Sequence, residues 1–259
     1  MKVIILAGGL GTRLGNITEE IPKPMVKIGG KPILWHIMKI YSHYGFKDFV
    51  LSLGYKQEVI KDYFYNYHVS STDHTINLGT KESTFHNGHE EKDWKVTMID
   101  TGLNTLKGAR IKRLEEHLDS DIIMMTYGDG VANINIKKLL EFHKAHGKMI
   151  TITGVRPPSR FGELIEEKGK LMSFKEKPQT STGFISGGFF VFNKSFLRHL
   201  SKKEDCDLEY GVLEKLAKKG HIMVYKHEGS WECVDTERDL RHLNKIWNEG
   251  KAFWKVWKK

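Results

Sequence analysis

Short runs of aliphatic and β-branched residues recur along the chain, at Lys2–Leu6, Phe49–Leu53, Val96–Asp100, Ile122–Thr126, Ile150–Val155 and Gly188–Phe192. Between the earlier runs lie segments whose apolar positions repeat every three or four residues, the spacing of one helical face. Ile33, Ile37, Ile40 and Tyr41 make such a stripe, with Pro32 opening the helix and Gly45 stopping it. Gln57–Tyr67 and Ile136–His146 read the same way, and further helices are expected over Leu208–Lys219 and Glu237–Trp247. Strands alternating with helices predict an α/β fold whose largely parallel sheet is covered by helices.

One stretch breaks the alternation. From Val69 to Asp93 the chain is polar, rich in Ser, Thr, His and Lys, and holds neither period. It reads as an insertion without structure of its own, of the kind that serves as a lid, a base-contacting loop or an oligomer contact. No internal repeat or linker divides the chain. With 259 residues, 39% of them hydrophobic, it can bury a substantial core, and disorder is a poor reading. The longest apolar runs are far too short to cross a bilayer, and the first strand begins at Lys2 with no leader before it, so the expectation is a soluble, untargeted protein. Cys206 and Cys233 are too few for a disulfide scaffold and fit the reducing cytoplasm. The net charge of +9 suits nucleic acid, a membrane surface or small phosphorylated ligands. The basic residues are scattered and no aromatic-interleaved pattern accompanies them, which argues against nucleic acid.

The chemistry is concentrated at the first strand. It runs into Leu6, Ala7, Gly8, Gly9, Leu10, Gly11, Thr12 and Arg13, a glycine-rich turn at the carboxyl end of a strand, where α/β sheets bind ligands. Backbone N–H groups in such a turn can approach a polyphosphate, and the planar fork of Arg13 can grip its oxygens. The same residues would also serve as a plain strand–helix turn. The dinucleotide fingerprint needs glycine where Leu14 stands, and the Gly-Lys-Ser/Thr of a P-loop never arrives. Further on, Pro22-Lys23-Pro24-Met25 holds one lysine in a stiff extended segment, fixing its charge near the phosphates of the first loop.

Together, the glycine loop and Pro22-Lys23-Pro24-Met25 carry the signature of the sugar-1-phosphate nucleotidyltransferases, which this chain resembles over essentially its whole length. The segment Asp100-Thr101-Gly102 followed by Gly108 through Arg113 resembles the cytidylyltransferases of that family. Tyr127-Gly128-Asp129-Gly130 resembles the family's metal-binding aspartate motif. Phe161-Gly162, Phe174 through Pro178, Gly187 through Phe190 and Trp231 through Thr236 match its sugar-side motifs in order.

The resemblance implies a Rossmann-like, mixed and mainly parallel sheet in one domain, with residues 1–130 as a nucleotide-binding half. Residues 131–259 would form a sugar-binding half with a C-terminal helix and tail. It implies transfer of a cytidylyl group from CTP to glucose 1-phosphate, giving CDP-glucose and pyrophosphate for nucleotide-sugar and surface polysaccharide biosynthesis. A related enzyme using UTP or dTTP, or another hexose or heptose 1-phosphate, is the alternative, and a non-catalytic nucleotide-sensing subunit a more distant one. The implied catalytic residues are Arg13 and Lys23. Leu6 through Arg13, Lys23, Thr105, Arg110 and Gly128 would bind nucleotide, and Glu176, Lys177, Ser186 and Gly187 the sugar phosphate. Asp129 and Asp235 would hold Mg2+. No nucleic acid or membrane partner is implied, and a symmetric homo-oligomer such as a hexamer is.

Taken singly, these residues have plainer uses: Asp129 as a turn former, Glu176 and Lys177 as a surface ion pair, Asp235 as a charge at a helix start. Three departures bear on the sugar. Ser186 stands where the cytidylyltransferases carry asparagine, Ala109 replaces a glycine, and Tyr210-Gly211-Val212 replaces a Gln-Glu-Pro pattern. His86/His89 and His143/His146 have metal-like spacing but no completing ligand, and read as ordinary loop and helix histidines. Phe253 through Trp257 reads as a packed tail or subunit contact, being too short for an amphipathic anchor.

Overall fold

The computed structural model describes residues 1–15, 17–157, 163–175 and 183–258. Seven strands form the main sheet: β1 (Lys2–Leu6), β2 (Asp48–Leu53), β3 (Lys95–Asp100), β4 (Ile122–Tyr127), β5 (Ile150–Val155), β6 (Ile185–Asn193) and β7 (Ile222–His227). Their order is β7-β5-β6-β4-β1-β2-β3, with β6 antiparallel to both its neighbours and every other pairing parallel. The mainly parallel α/β sheet expected from the alternation is therefore present, and it runs without a break from the first half of the chain into the second.

Alternate residues of each strand face opposite sides, so one sheet builds two cores. Val3, Ile5, Phe49 and Leu51 pack beneath helix α1 (Ile33–His43), whose stripe of Ile33, Ile37, Ile40 and Tyr41 is fully buried. Ile4, Val50, Ile123 and Met125 face the other way, toward Ile111 and Phe196. Helix α2 (Gln57–Tyr65) and helix α3 (Lys107–Arg113) follow β2 and β3. Helix α4 (Ile136–His146) starts where Asn135 accepts a hydrogen bond from Lys138 N, and helix α5 (Glu237–Asn248) starts on a reciprocal Thr236–Asp239 capping box.

Three local expectations are corrected. Gln57–Tyr67 is not one helix: it breaks at Asn66, and a short second helix runs Tyr67–Ser71. Over Leu208–Lys219 only Glu214–Lys218 is regular, because Gly211 takes φ of 95° and Asp207 Oδ1 draws the N–H groups of Glu209 and Tyr210 out of a helical ladder. The polar insertion has structure of its own, a hairpin pairing His74–Ile76 with Ser83–Phe85. Its turn is held by Asn77, whose side chain accepts from Gly79 N and Thr80 N. Such a side-chain turn leaves no hydrophobic period for the sequence to display.

The C-terminal aromatic residues form a packed tail. Trp254 is fully buried, its ring stacked near Trp247 and edge-to-face with His36. His36 Nε2 lies 2.8 Å from the Ile28 carbonyl, and Trp254 Nε1 donates to His36 Nδ1 at 3.3 Å. A carbonyl only accepts and an indole N–H only donates, so the ring is held neutral with its proton on Nε2. Burial lowers its pKa to about 4. His143 and His146 both bond Thr151 Oγ1, at 2.8 and 2.7 Å, which gives them a structural use. Among the described residues no helix is long and apolar enough to cross a membrane.

Candidate active site

Strand order sets the place of the site. From β1 the chain builds outward through β2 and β3, then returns to lay β4 on the opposite side of β1, which leaves a crevice at the carboxyl ends of β1 and β4. A cavity of about 730 Å3 opens there. Leu6 through Arg13 line it, with Lys23, Thr105, Arg110, Gly128, Asp129, Ser186 and Asp235. Residues from six separate stretches of sequence are thus brought into one cleft. Gly187 stands just behind the wall, its carbonyl accepting from Trp231 Nε1 at 2.8 Å. Glu176, Lys177 and the Phe161-Gly162 pair lie outside the described residues.

The glycines of the loop serve different purposes. A Cβ on Gly8 would stand 2.3 Å from Arg110 Nη1, so glycine is required there by the arginine behind it. Gly11 takes φ of 67°, and a Cβ on it would meet Lys23 Cβ at 2.9 Å. Only Gly9 opens onto free space, which suits a close approach of phosphate to backbone.

Arg110 is 4% exposed, and its guanidinium is spent on the protein. Nη1 donates to Leu53 O at 3.0 Å and Thr101 Oγ1 at 2.8 Å, and Nη2 to Gly8 O at 2.9 Å and Leu103 O at 3.0 Å. It ties together the loops that leave β1, β2 and β3. Thr105 is engaged in the same way, its Oγ1 accepting from Arg113 Nη1 at 3.0 Å. In this geometry both residues hold the walls of the cavity in place.

The charged centre lines the same cleft. Lys23 is 8% exposed, and its Nζ donates to Asp129 Oδ2 and Asp235 Oδ1, each at 2.7 Å. Arg13 Nη1 donates to Asp235 Oδ2 at 2.8 Å. Burial alone would depress the lysine, but Asp129 and Asp235 outweigh it and raise its pKa, so the ammonium is permanent. For Asp235 burial acts upward, and Lys23 and Arg13 overcome it, keeping the carboxyl below its ordinary range. Burial, reinforced by both aspartates, pushes the neighbouring Cys233 thiol up to about 12, which leaves it no nucleophilic thiolate at neutral pH. Two carboxylates converging on one cationic centre are a hard-oxygen donor set, which fits a magnesium-type ion that also uses substrate phosphates.

Other wall residues escaped the sequence reading. Leu103 and Asn104 line the cavity from the loop after β3, Lys107 from the start of α3, and Asp207 from the second half. Tyr127 donates to Glu209 Oε1 at 2.7 Å, and Lys107 is paired with the same carboxylate. The loop at the carboxyl end of β3 was itself a signal for the first two.

A family model described as nucleotidyl transferase matches residues 2–249. The chain belongs to the nucleotidyl transferase family. It is 47% identical over 258 residues to "Glucose-1-phosphate cytidylyltransferase" of Salmonella typhi, covering 99% of this chain and 100% of that one. It is 30% identical over 221 residues to "D-glycero-alpha-D-manno-heptose 1-phosphate guanylyltransferase" of Aneurinibacillus thermoaerophilus, covering 83% and 84% of the two chains. Among solved structures, HddC from Yersinia pseudotuberculosis superposes with a TM-score of 0.69 at 25% identity, over 95% of this chain and 99% of that one. Members of the nucleotidyl transferase family generally use a divalent metal ion.

Proposed function

We propose that this nucleotidyltransferase joins CTP and glucose 1-phosphate to give CDP-glucose and pyrophosphate, with Mg2+ as the divalent ion. The observation that carries the reading is full-length likeness, at 47% identity, to a glucose-1-phosphate cytidylyltransferase. The convergence of Lys23, Arg13, Asp129 and Asp235 on the glycine-loop cavity supports it.

A phosphate oxygen of the sugar phosphate forms a bond to the α-phosphorus of the nucleotide, and the bond from that phosphorus to the bridging oxygen of pyrophosphate breaks. No covalent enzyme intermediate is required. Both substrates are polyanions, so catalysis is a matter of positioning and charge stabilisation. Lys23 and Arg13 neutralise the triphosphate as it enters beside Gly9, and the loop from Leu6 to Arg13, with Gly128, cradles the nucleotide. Arg110 and Thr105 keep the base-side wall fixed. Glu176, Lys177, Ser186 and Gly187 receive the sugar phosphate. Asp129 and Asp235 hold the magnesium, which when bound offsets negative charge on the transferring phosphate. The chain acts as one domain, nucleotide-binding up to residue 130 and sugar-binding beyond, in a cytoplasmic homo-oligomer.

A second reading keeps the chemistry and changes the sugar. Ser186 lines the cavity with a short hydroxyl where the cytidylyltransferases carry an amide, leaving room for a different hexose or a heptose 1-phosphate. The test is pyrophosphate release from CTP, UTP, dTTP, ATP and GTP, each against several sugar 1-phosphates with magnesium. The proposal expects CTP with glucose 1-phosphate to give the highest kcat/KM. Highest efficiency for another sugar selects the second reading, and no pyrophosphate from any pair rejects both.

A further inference from the structure

The two aspartates assigned to the metal are already engaged by a cation of the protein itself. The Lys23 ammonium stands 2.7 Å from one oxygen of each carboxylate, and Arg13 takes the other oxygen of Asp235 at 2.8 Å. Two side-chain anions face two side-chain cations, so the cluster is formally neutral. A magnesium-type ion binds carboxylate oxygens at about 2.0–2.1 Å and gives up its water reluctantly. It gains little from a neutral cluster, and an ammonium lying against the same two oxygens repels it.

The lysine has somewhere else to go. Its backbone is fixed between Pro22 and Pro24, while its stem runs along the glycine loop: a Cβ built on Gly11 would stand 2.9 Å from Lys23 Cβ and 3.6 Å from Lys23 Cδ. A flexible four-carbon stem pivoting there can carry the ammonium from the carboxylates to phosphate oxygens bound beside Gly9. Arg13, with a largely exposed side chain, can make the same exchange.

We propose that Lys23 is an internal competitor for the metal ion, so that Asp129 and Asp235 bind a divalent cation tightly only when nucleotide phosphates have drawn the ammonium away. This rests on the reading of those two aspartates as the metal ligands. It makes metal and nucleotide mutually dependent ligands, since whatever factor one lends the other's binding must be returned. It also gives Lys23 two successive partners, the carboxylates before the triphosphate arrives and the phosphates after. A bare ion in solution is held off until there is something to transfer.

The experiment is a titration of the full chain with Mn2+ alone, free Mn2+ being read from its electron paramagnetic resonance signal, with no nucleotide present. Wild type, Lys23→Met, Lys23→Gln and the double variant Lys23→Met/Asp235→Asn are compared, with circular dichroism to establish that each is folded. The inference expects both single variants to bind Mn2+ about tenfold or more tighter than wild type, the weight of one close charge pair. The double variant should lose that gain. Equal affinity in wild type and the folded lysine variants would overturn the inference, as would a double variant that binds like Lys23→Met. Absence of pyrophosphate release by wild type would instead sink the proposed reaction while leaving the Mn2+ comparison standing.

Discussion

Lys23 and His36 are both buried, 8% and 0% exposed, yet the first keeps its charge and the second does not. Lys23 sits at the strand ends with Asp129 and Asp235 at hydrogen-bond distance, and the pair of carboxylates raises its pKa against the effect of burial. His36 sits under the C-terminal tryptophans with one carbonyl and one indole N–H for company, and burial lowers its pKa to about 4. A buried group keeps its charge where opposite charges stand against it, and is neutralised where burial offers only neutral partners. On the proposed function the strand ends carry the chemistry, and the tail carries stability.

The largest way to break the comparison is to remove the anions that justify the buried cation. Asp129→Asn and Asp235→Asn should each lower turnover on the order of 100- to 1000-fold. Because both serve one centre, the double variant should be little worse than either single one. Steady-state pyrophosphate release from the four members of the cycle decides it: losses that multiply would mean the two carboxylates act independently.

The difference between the two regions was partly legible in the sequence. Strand positions, the stripe of α1 and the glycine loop follow from periodicity and turn chemistry, and the fold was read from them. Lys23 was placed near phosphates by its two prolines and by resemblance. What the pattern could not display is its carboxylate partners, which lie 106 and 212 residues away. Periodicity reports which face of an element is buried and says nothing of what stands opposite. Arg110 shows the same limit: its residue type suggests an anion contact, and only the packed loops reveal four protein acceptors. The hairpin at His74–Phe85 and the irregular turn at Glu209–Leu213 each depend on one side chain, Asn77 and Asp207, accepting two backbone N–H groups, a device that carries no repeat.

A change of pH sharpens the contrast from the other side. The folded-state pKa of His36 lies below the ordinary value of 6.5, so the unfolded chain takes up the proton first as pH falls. Stability is full above about pH 6.5 and declines toward pH 4, by about 3 kcal/mol for this group. His143, His146 and His227, also lowered by burial, add in the same direction. Urea unfolding at pH 7.5, 5.5 and 4.5 should show the decline, and a His36→Gln variant should show a shallower one. An identical slope in that variant would remove His36 from the account.

The smallest expected effect concerns specificity inside the cleft. Ser186→Asn restores a longer donor and acceptor at the sugar side and should shift the kcat/KM ratio toward glucose 1-phosphate over the best alternative sugar phosphate. One hydrogen bond is worth about 0.5–1.5 kcal/mol, so the shift should be roughly two- to tenfold. An unchanged ratio would make Ser186 a neutral position.

The central claim is that the buried cation belongs to catalysis and the buried aromatic cluster to stability, and one crossed measurement tests it. Turnover at 15 °C and thermal melting are recorded together for Lys23→Ala and Trp254→Ala. The account predicts that Lys23→Ala loses on the order of 100- to 1000-fold in kcat with little change in Tm. Trp254→Ala should keep its turnover per folded molecule while Tm falls by roughly 10 °C, the consequence of about 3–5 kcal/mol lost from a fully buried indole. A Lys23→Ala enzyme that still turns over near the wild-type rate, with its main loss in melting temperature, would contradict the account.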